Sequence, residues 1–122
     1  MLERDCEGLI GAAISVHRTL GPGLLESIYS RCLGIELEWR GFRVHREVPI
    51  PLKYRGITLD GLLRIDLIVN NRIVVEVKSV IRHEPVFEAQ LLTYLRLTGH
   101  QVGYLLNFHK PVLKDGIKRM VR

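Results

Sequence analysis

The stretch Arg64-Ile-Asp-Leu-Ile-Val-Asn-Asn-Arg-Ile-Val-Val-Glu-Val-Lys78 decides the fold of this 122-residue chain. Two apolar runs flank Asn70-Asn71, a dipeptide that favours a hairpin turn between two strands. Because residues i and i+2 of a strand point to one face, Glu76 and Lys78 project together, while the neighbouring valines face the other way. Charged groups among valines and isoleucines are costly to bury without a partner. The stretch therefore indicates a functional site as well as a hairpin.

The length of the hairpin loop decides whether Asp66 and Glu76 meet. With the two-residue loop Asn70-Asn71, Asp66 lies opposite Val75 and Glu76 faces away from it. With a three-residue loop, Asn70 to Arg72, Asp66 lies opposite Glu76 on the same face. If the two acids act together, the sequence predicts the three-residue loop, a G1-type bulge, or a bulge near Asp66.

Two neighbouring carboxylates point to a bound cation. Each carboxylate resists ionisation beside the other, and a divalent cation removes that repulsion. Oxygen ligands of this kind suit Mg²⁺ or Mn²⁺ rather than Zn²⁺. Lys78, on the same face as Glu76, could orient a water molecule or stabilise charge that grows on a phosphate. The alternative is that Lys78 forms an ordinary ion pair with Glu76 or Asp66 at a solvated sheet edge.

The rest of the chain predicts an α/β fold, a small mixed β-sheet flanked by helices, in a single domain spanning residues 1–122. Pro49 and Pro51 indicate an edge strand or a bend. A helix separates the Glu76 strand from the next strand, so those two strands should be parallel through a right-handed crossover. The predicted helices are one that ends near Gly21-Pro22-Gly23, Leu24 to Arg40, and Glu84 to Thr98. The predicted strands are Phe42 to Tyr54, Ile57 to Val69, Arg72 to Ile81, Val102 to Phe108, and a short last strand within Lys110 to Arg122.

Composition excludes several classes of protein. Apolar residues make up 47% and charged residues 25%, as in ordinary globular domains, and no apolar run reaches the ~20 residues that span a bilayer. The polar, acidic N-terminus predicts no signal peptide. Cys6 and Cys32 lack C-x-x-C spacing, which favours a reducing cytoplasm. The net charge of +5 permits binding to nucleic acid. The five histidines show no ligand spacing, so we expect them at the surface or locally hydrogen-bonded, without zinc.

Several motifs carry a resemblance to known families. Asp66 followed by Glu76-Val77-Lys78 resembles the Asp…Glu-x-Lys signature of the PD-(D/E)XK nuclease superfamily, although Ile65 stands where the superfamily's name places a proline. Gly23-Leu-Leu-Glu-Ser-Ile-Tyr29 matches the pattern that names the GxxExxY protein family. Four further segments are similar to that family: His17 to Gly23, Ala89 to Leu95, Gly103 to Phe108, and Lys114 to Arg119.

The resemblance implies a restriction-endonuclease-like core and a role for each residue of the motifs. Asp66 and Glu76 would ligate Mg²⁺ or Mn²⁺, with the Val77 carbonyl as a further ligand, and Lys78 would be the catalytic lysine. Glu26 occupies an acidic position on a helix that in related nucleases reaches the metal. Gln90 and Tyr94 match the Gln-x-x-x-Tyr motif of RecB-like members, and their i, i+4 spacing places them on one helical face.

Each supporting residue also has a structural interpretation. Glu26 lies in the first turn of its helix, where a carboxylate is favourable against the helix dipole. Tyr29 lies on the apolar stripe of that helix and fits a core residue. Gln90 and Tyr94 fit an ordinary pair on a helix surface.

Three functions follow from these residues. The first is a Mg²⁺-dependent nuclease, a hydrolase of phosphodiester bonds, that acts on nucleic acid, with DNA favoured, in the cytoplasm and away from membranes. Such a small chain would work as a homodimer or with a recruiting protein partner. The second is a non-catalytic nucleic-acid-binding module, and the third is a protein-interaction module that retains the nuclease fold.

Overall fold

The chain forms a five-stranded mixed sheet with two helices on one face and one on the other. The computed structural model describes residues 1–122. The helices are α1 (Leu2–Leu20), α2 (Glu26–Trp39) and α3 (Pro85–Thr98), with a short 3-10 helix at Leu113–Gly116. The strands are β1 (Val44–Tyr54), β2 (Ile57–Val69), β3 (Ile73–Lys78), β4 (Val102–Asn107) and β5 (Ile117–Val121).

The strands follow the order β1-β2-β3-β4-β5, so β3 lies at the centre of the sheet. Only the β3–β4 pair is parallel, and α3 connects these two strands. The mixed α/β architecture and the parallel crossover predicted from the sequence are confirmed. β1 is an edge strand, as its prolines predict, and its register against β2 shifts between Ile50 and Leu52, around Pro51.

The hairpin between β2 and β3 has the three-residue loop. Val69 pairs with Ile73, which leaves Asn70 to Arg72 as the loop. Asn70 and Asn71 both adopt left-handed backbone conformations, with φ of 52° and 56°, and asparagine tolerates this region better than most residues. The Arg72 N–H donates to the Val69 carbonyl and closes the turn at 3.0 Å. This register brings Asp66 and Glu76 to neighbouring positions.

The sheet separates two cores of unequal size. Eighteen buried residues lie between the sheet and the pair α1 and α2, and eight lie between the sheet and α3. Val75 and Val77 belong to the larger core, while Val74 belongs to the smaller one. The side chains of Glu76 and Lys78 alternate with the two valines and therefore lie on the α3 face.

One histidine departs from the expectation that all five are at the surface or locally bonded. His17 is buried, and its Nε2–H donates to the carbonyl of Lys110 across 2.7 Å and 93 residues of chain. A buried polar group needs a partner, and the carbonyl after β4 supplies it. The helices include none that is both long enough and apolar enough to span a membrane.

Candidate active site

Asp66 and Glu76 lie side by side where the β2–β3 ladder ends. The last residue pair of the ladder is Leu67 with Val75. At the next residue pair, Asp66 and Glu76, side-chain carboxylates take the place of backbone carbonyls as hydrogen-bond acceptors between the strands. The Asp66 N–H donates to Glu76 Oε2 at 2.9 Å, and the Val77 N–H donates to Asp66 Oδ2 at 2.8 Å. The two strands are therefore joined here by the carboxyl groups themselves, which fixes both groups in orientation.

The environment of this pair opposes ionisation. Burial is the main cause that raises the pKa of Glu76, and the Asp66 charge is the second; with the opposing effects of the Asp66 N–H and the Lys78 charge included, the pKa is about 8. Burial also raises the pKa of Asp66, while the Val77 N–H lowers it. Glu76 is 5% exposed, so little water solvates its charge. Because the pKa of Glu76 is about 8, this carboxyl keeps its proton at neutral pH, and a divalent cation bound by the pair would displace that proton.

Lys78 ends β3 beside this pair without forming an ion pair with it. No carboxylate oxygen lies within 4.0 Å of its Nζ. The ammonium instead lies 4.6 Å from the centre of the Phe87 ring, over its face, where the ring attracts a cation. Its backbone is fixed by the Phe108 N–H, which donates to the Lys78 carbonyl at 2.9 Å. The interpretation of Lys78 as half of a simple surface ion pair is therefore wrong.

Glu26 reaches the same end of β3 from the first turn of α2. Its Oε2 accepts the Ser79 N–H at 3.4 Å, and the Ser79 hydroxyl donates to the Leu24 carbonyl at 2.6 Å. The charge of Glu26 raises the pKa of both Asp66 and Glu76. Glu26 is exposed, and the three carboxylates do not close into one group: no three His, Cys, Asp or Glu side chains are close enough together to hold a metal ion.

Tyr29 explains why the first turn of α2 lies at this position. It is fully buried, stacked on Phe108 with 4.6 Å between ring centres. Its hydroxyl donates to the Gly21 carbonyl and accepts the Leu24 N–H at 3.1 Å. Tyr29 is thus a core residue, as its place on the apolar stripe predicts. Its hydroxyl holds the turn before α2 in place. That turn positions the Leu24 carbonyl and the Glu26 carboxylate, which both bond Ser79.

Gln90 and Tyr94 lie on α3, with Tyr94 buried and Gln90 half-buried. Burial raises the pKa of the Tyr94 hydroxyl, and the charges of Glu76 and Asp66 raise it further. Tyr94 therefore faces the carboxylate pair and remains a hydrogen-bond donor at neutral pH. This departs from an ordinary surface pair. The Val77 side chain is buried in the opposite core, so only its backbone is available to the site.

Ser79 and Asn107 support the site and are absent from the residues predicted by sequence. Asn107 is 8% exposed. Its Oδ1 accepts the N–H groups of Val80 and His109, each at 3.1 Å, and its Nδ2 donates to the Val80 carbonyl at 2.9 Å. It thereby fixes the chain that follows Lys78. The sequence did contain a signal for Asn107: it is a polar residue at the end of a buried strand that was predicted to lie parallel to the Glu76 strand.

Comparison with known proteins identifies the superfamily to which the chain belongs. The chain matches the family model of the PD-(D/E)XK nuclease superfamily over residues 3–120. Comparisons with curated proteins and with solved structures gave no match. The matched segment contains all the site residues described above, and it covers nearly the whole chain. The protein therefore belongs to the PD-(D/E)XK nuclease superfamily.

Proposed function

We propose that this protein is a nuclease that hydrolyses phosphodiester bonds in DNA with Mg²⁺ or Mn²⁺. The observation that carries the proposal is the pair of hydrogen bonds that holds the two carboxyl groups. Glu76 accepts the Asp66 N–H, and Asp66 accepts the N–H of Val77, the residue after Glu76. A pair of carboxyl groups held in fixed orientation, with raised pKa values, suits a hard divalent cation. Membership of a nuclease superfamily supports the reaction class.

In this proposal Asp66 and Glu76 are the principal ligands of the cation. The Val77 carbonyl is a third ligand, and Glu26, which accepts the Ser79 N–H, adds its negative charge at the edge of the site. When bound, the cation supplies a Lewis acid that activates water and neutralises phosphate charge. Mg²⁺ commonly takes only one or two protein carboxylates and leaves the rest to water and phosphate. Two well-oriented carboxyl groups with a third at their margin fit that requirement.

Three side chains act on the substrate. Lys78 donates to the scissile phosphate and stabilises the charge that develops there, because it has no competing carboxylate partner within 4.0 Å. Tyr94 holds its proton at neutral pH and donates a hydrogen bond toward the carboxylate pair or a phosphate oxygen. Gln90, one helical turn before Tyr94, orients the same group.

The remaining features fit a cytoplasmic member of the GxxExxY family. Tyr29 and Glu26 act together, since the Tyr29 hydroxyl holds the turn before α2 and the Glu26 carboxylate reaches Ser79. Both cysteines are free, which suits a reducing compartment. Ile35 and Trp39 on α2 are 60% and 84% exposed, and they suit a contact with a second copy or a recruiting partner. The net charge of +5 suits a polyanionic substrate.

A cleavage assay tests the proposal. Linear and circular, single- and double-stranded DNA and RNA are incubated with Mg²⁺, Mn²⁺ or EDTA, with wild-type protein and with Lys78→Ala. We expect metal-dependent cleavage of DNA that is lost in the variant, and the substrate panel separates exonuclease from endonuclease activity. Binding of DNA without cleavage of any substrate under either metal would contradict the proposal and favour a non-catalytic binding module.

A further inference from the structure

A cavity of about 190 Å³ lies beside Lys78, on the side away from β2. It is bounded by the end of β3, the start of α3, the chain after β4, the 3-10 helix and β5. Six side chains that bear on a ligand line it: Lys78, His83, Phe87, Lys110, Asp115 and Lys118. Asp115 and Lys118 belong to the segment Lys114 to Arg119. No residue of that segment has a role in the proposed cleavage reaction.

The lining carries an excess of positive charge. Three lysines face a single carboxylate, that of Asp115. Neither Lys78 nor Lys110 has a carboxylate oxygen within 4.0 Å. Glu88, at the margin, is 2.6 Å from His83 and 4.0 Å from Lys118. A concave site in which ammonium groups outnumber carboxylates attracts anions.

The walls of the cavity are fixed by packing and hydrogen bonds. The Asn107 amide makes two hydrogen bonds to Val80, which tie the end of β4 to the chain after Lys78, and it accepts a third from the His109 N–H. A Cβ at Gly116 would lie 2.4 Å from the Asn107 carbonyl oxygen, so only glycine allows the 3-10 helix to pack this closely on β4. A site built in advance loses less entropy when it binds a ligand.

We propose that this cavity is a phosphate-binding subsite, which holds one phosphate of the nucleic-acid strand while the Asp66–Glu76 pair acts on a neighbouring phosphodiester. The inference rests on the proposed function and specifies its substrate. Lys78 joins the two sites, because it lines the cavity and shares a strand face with Glu76. The volume of about 190 Å³ leaves room for a phosphate group.

Binding in EDTA tests the subsite without any turnover. The probes are a labelled single-stranded oligonucleotide with a 5′-phosphate, the same strand with a 3′-phosphate, the same strand with both ends as hydroxyls, and a circular single strand. Fluorescence anisotropy compares wild-type protein with Lys110→Gln and Lys118→Gln. Lys53→Gln is the matched control, since Lys53 is an exposed lysine of β1 that does not line the cavity.

We expect Lys110→Gln to weaken binding about tenfold, because a charged hydrogen bond to phosphate is lost, and Lys53→Gln to change it less than about twofold. A loss confined to one phosphate-ended probe assigns the cavity to that terminal phosphate. An equal loss on the circular strand assigns it to an internal phosphate, and both results support the subsite. Equal effects of Lys110→Gln, Lys118→Gln and Lys53→Gln on every probe would overturn it.

Folding and function are controlled separately. Thermal melting of each variant verifies the fold, and Lys118→Gln, at an exposed position, replaces Lys110→Gln if the latter does not fold. If Lys110→Gln weakens oligonucleotide binding in EDTA more than Lys53→Gln does, and wild-type protein cleaves no substrate, the nuclease proposal is refuted and the subsite is retained. If wild-type protein cleaves DNA and all three lysine variants bind the oligonucleotides equally, the subsite is refuted and the nuclease proposal is retained.

Discussion

The two faces of β3 differ in what they contribute to the molecule. On the α1–α2 side, Val75 and Val77 lie in a core of eighteen buried apolar residues. On the α3 side, Glu76 and Lys78 alternate with them, and the core has only eight residues. The first face stabilises the fold, and the second gives up apolar burial to hold charged groups. Substitutions at adjacent positions of one hairpin should therefore separate stability from activity.

The largest expected effect is on cleavage. Asp66→Asn removes one carboxylate of the proposed cation site but keeps an oxygen that accepts the Val77 N–H. We expect the cleavage rate in Mg²⁺ to fall about 100-fold or more, with little change in melting temperature. Asp60→Asn, at an exposed position of the same strand, is the matched control. A rate within about twofold of wild type for Asp66→Asn would contradict the assigned role.

The opposite face should respond in stability. Leu67, next to Asp66, is fully buried in the larger core. Leu67→Ala should lower the free energy of unfolding by about 2–5 kcal/mol, because it leaves a cavity in a packed core. Urea denaturation measures this loss. Leu62→Ala on the same strand, where the side chain is 67% exposed, should change it by less than about 0.5 kcal/mol. Equal losses would remove the distinction between the two regions.

The charged face should make stability depend on pH. Glu76 has a pKa of about 8 in the folded chain against an ordinary value of 4.5, so the folded state keeps a proton that the unfolded state releases. Without metal, the free energy of unfolding should fall as pH rises from 4.5 to about 8, by up to about 1.4 kcal/mol per pH unit. Glu76→Gln should flatten this part of the curve, measured by urea denaturation in EDTA.

Metal should reverse this trend. A divalent cation binds the ionised carboxylates, so the stabilisation by Mg²⁺ should grow as pH rises through the same window. If the free energy of unfolding in EDTA depends on pH in the same way for wild-type protein and for Glu76→Gln, Glu76 is excluded as the source of the pH dependence.

The smallest effect is expected at the turn before α2. Tyr29→Phe removes the hydroxyl that bonds Gly21 and Leu24. It should lower the free energy of unfolding by about 1–2 kcal/mol, because two backbone groups lose their partner. Cleavage should fall by a smaller factor than in Asp66→Asn, since Glu26 lies only at the margin of the site. Unchanged stability would show that water replaces the hydroxyl in this turn.

The sequence predicted the parts of the fold that depend on periodicity and chain order. The apolar runs on either side of Asn70-Asn71, the prolines of β1 and the helix between β3 and β4 were sufficient for the sheet and its parallel pair. The three-residue loop followed from the assumption that Asp66 and Glu76 act together. Apolar spacing alone did not locate the end of the core: Ile28, beside Tyr29 in α2, is 39% exposed, and Leu25, just before α2, is 71% exposed.

Contacts between distant segments could not be predicted in this way. The bond of His17 to the Lys110 carbonyl spans 93 residues, and no local pattern encodes it. Lys78 has the spacing of an ion-pair partner for Glu76, yet the fold brings Phe87 beneath its ammonium group. The cavity beside it takes side chains from five separate segments, so it forms only when the fold brings α3, the end of β4, the 3-10 helix and β5 around Lys78.

Direct measurement of cation binding tests the central claim that Asp66 and Glu76 hold one divalent cation. Mn²⁺ is titrated into wild-type protein, Asp66→Asn, Glu76→Gln and the control Asp60→Asn, and free Mn²⁺ is followed by its paramagnetic resonance signal. We predict one site per chain in wild type and Asp60→Asn, and none of comparable affinity in the other two variants. Equal Mn²⁺ binding by all four proteins, or none by wild type, would contradict the account.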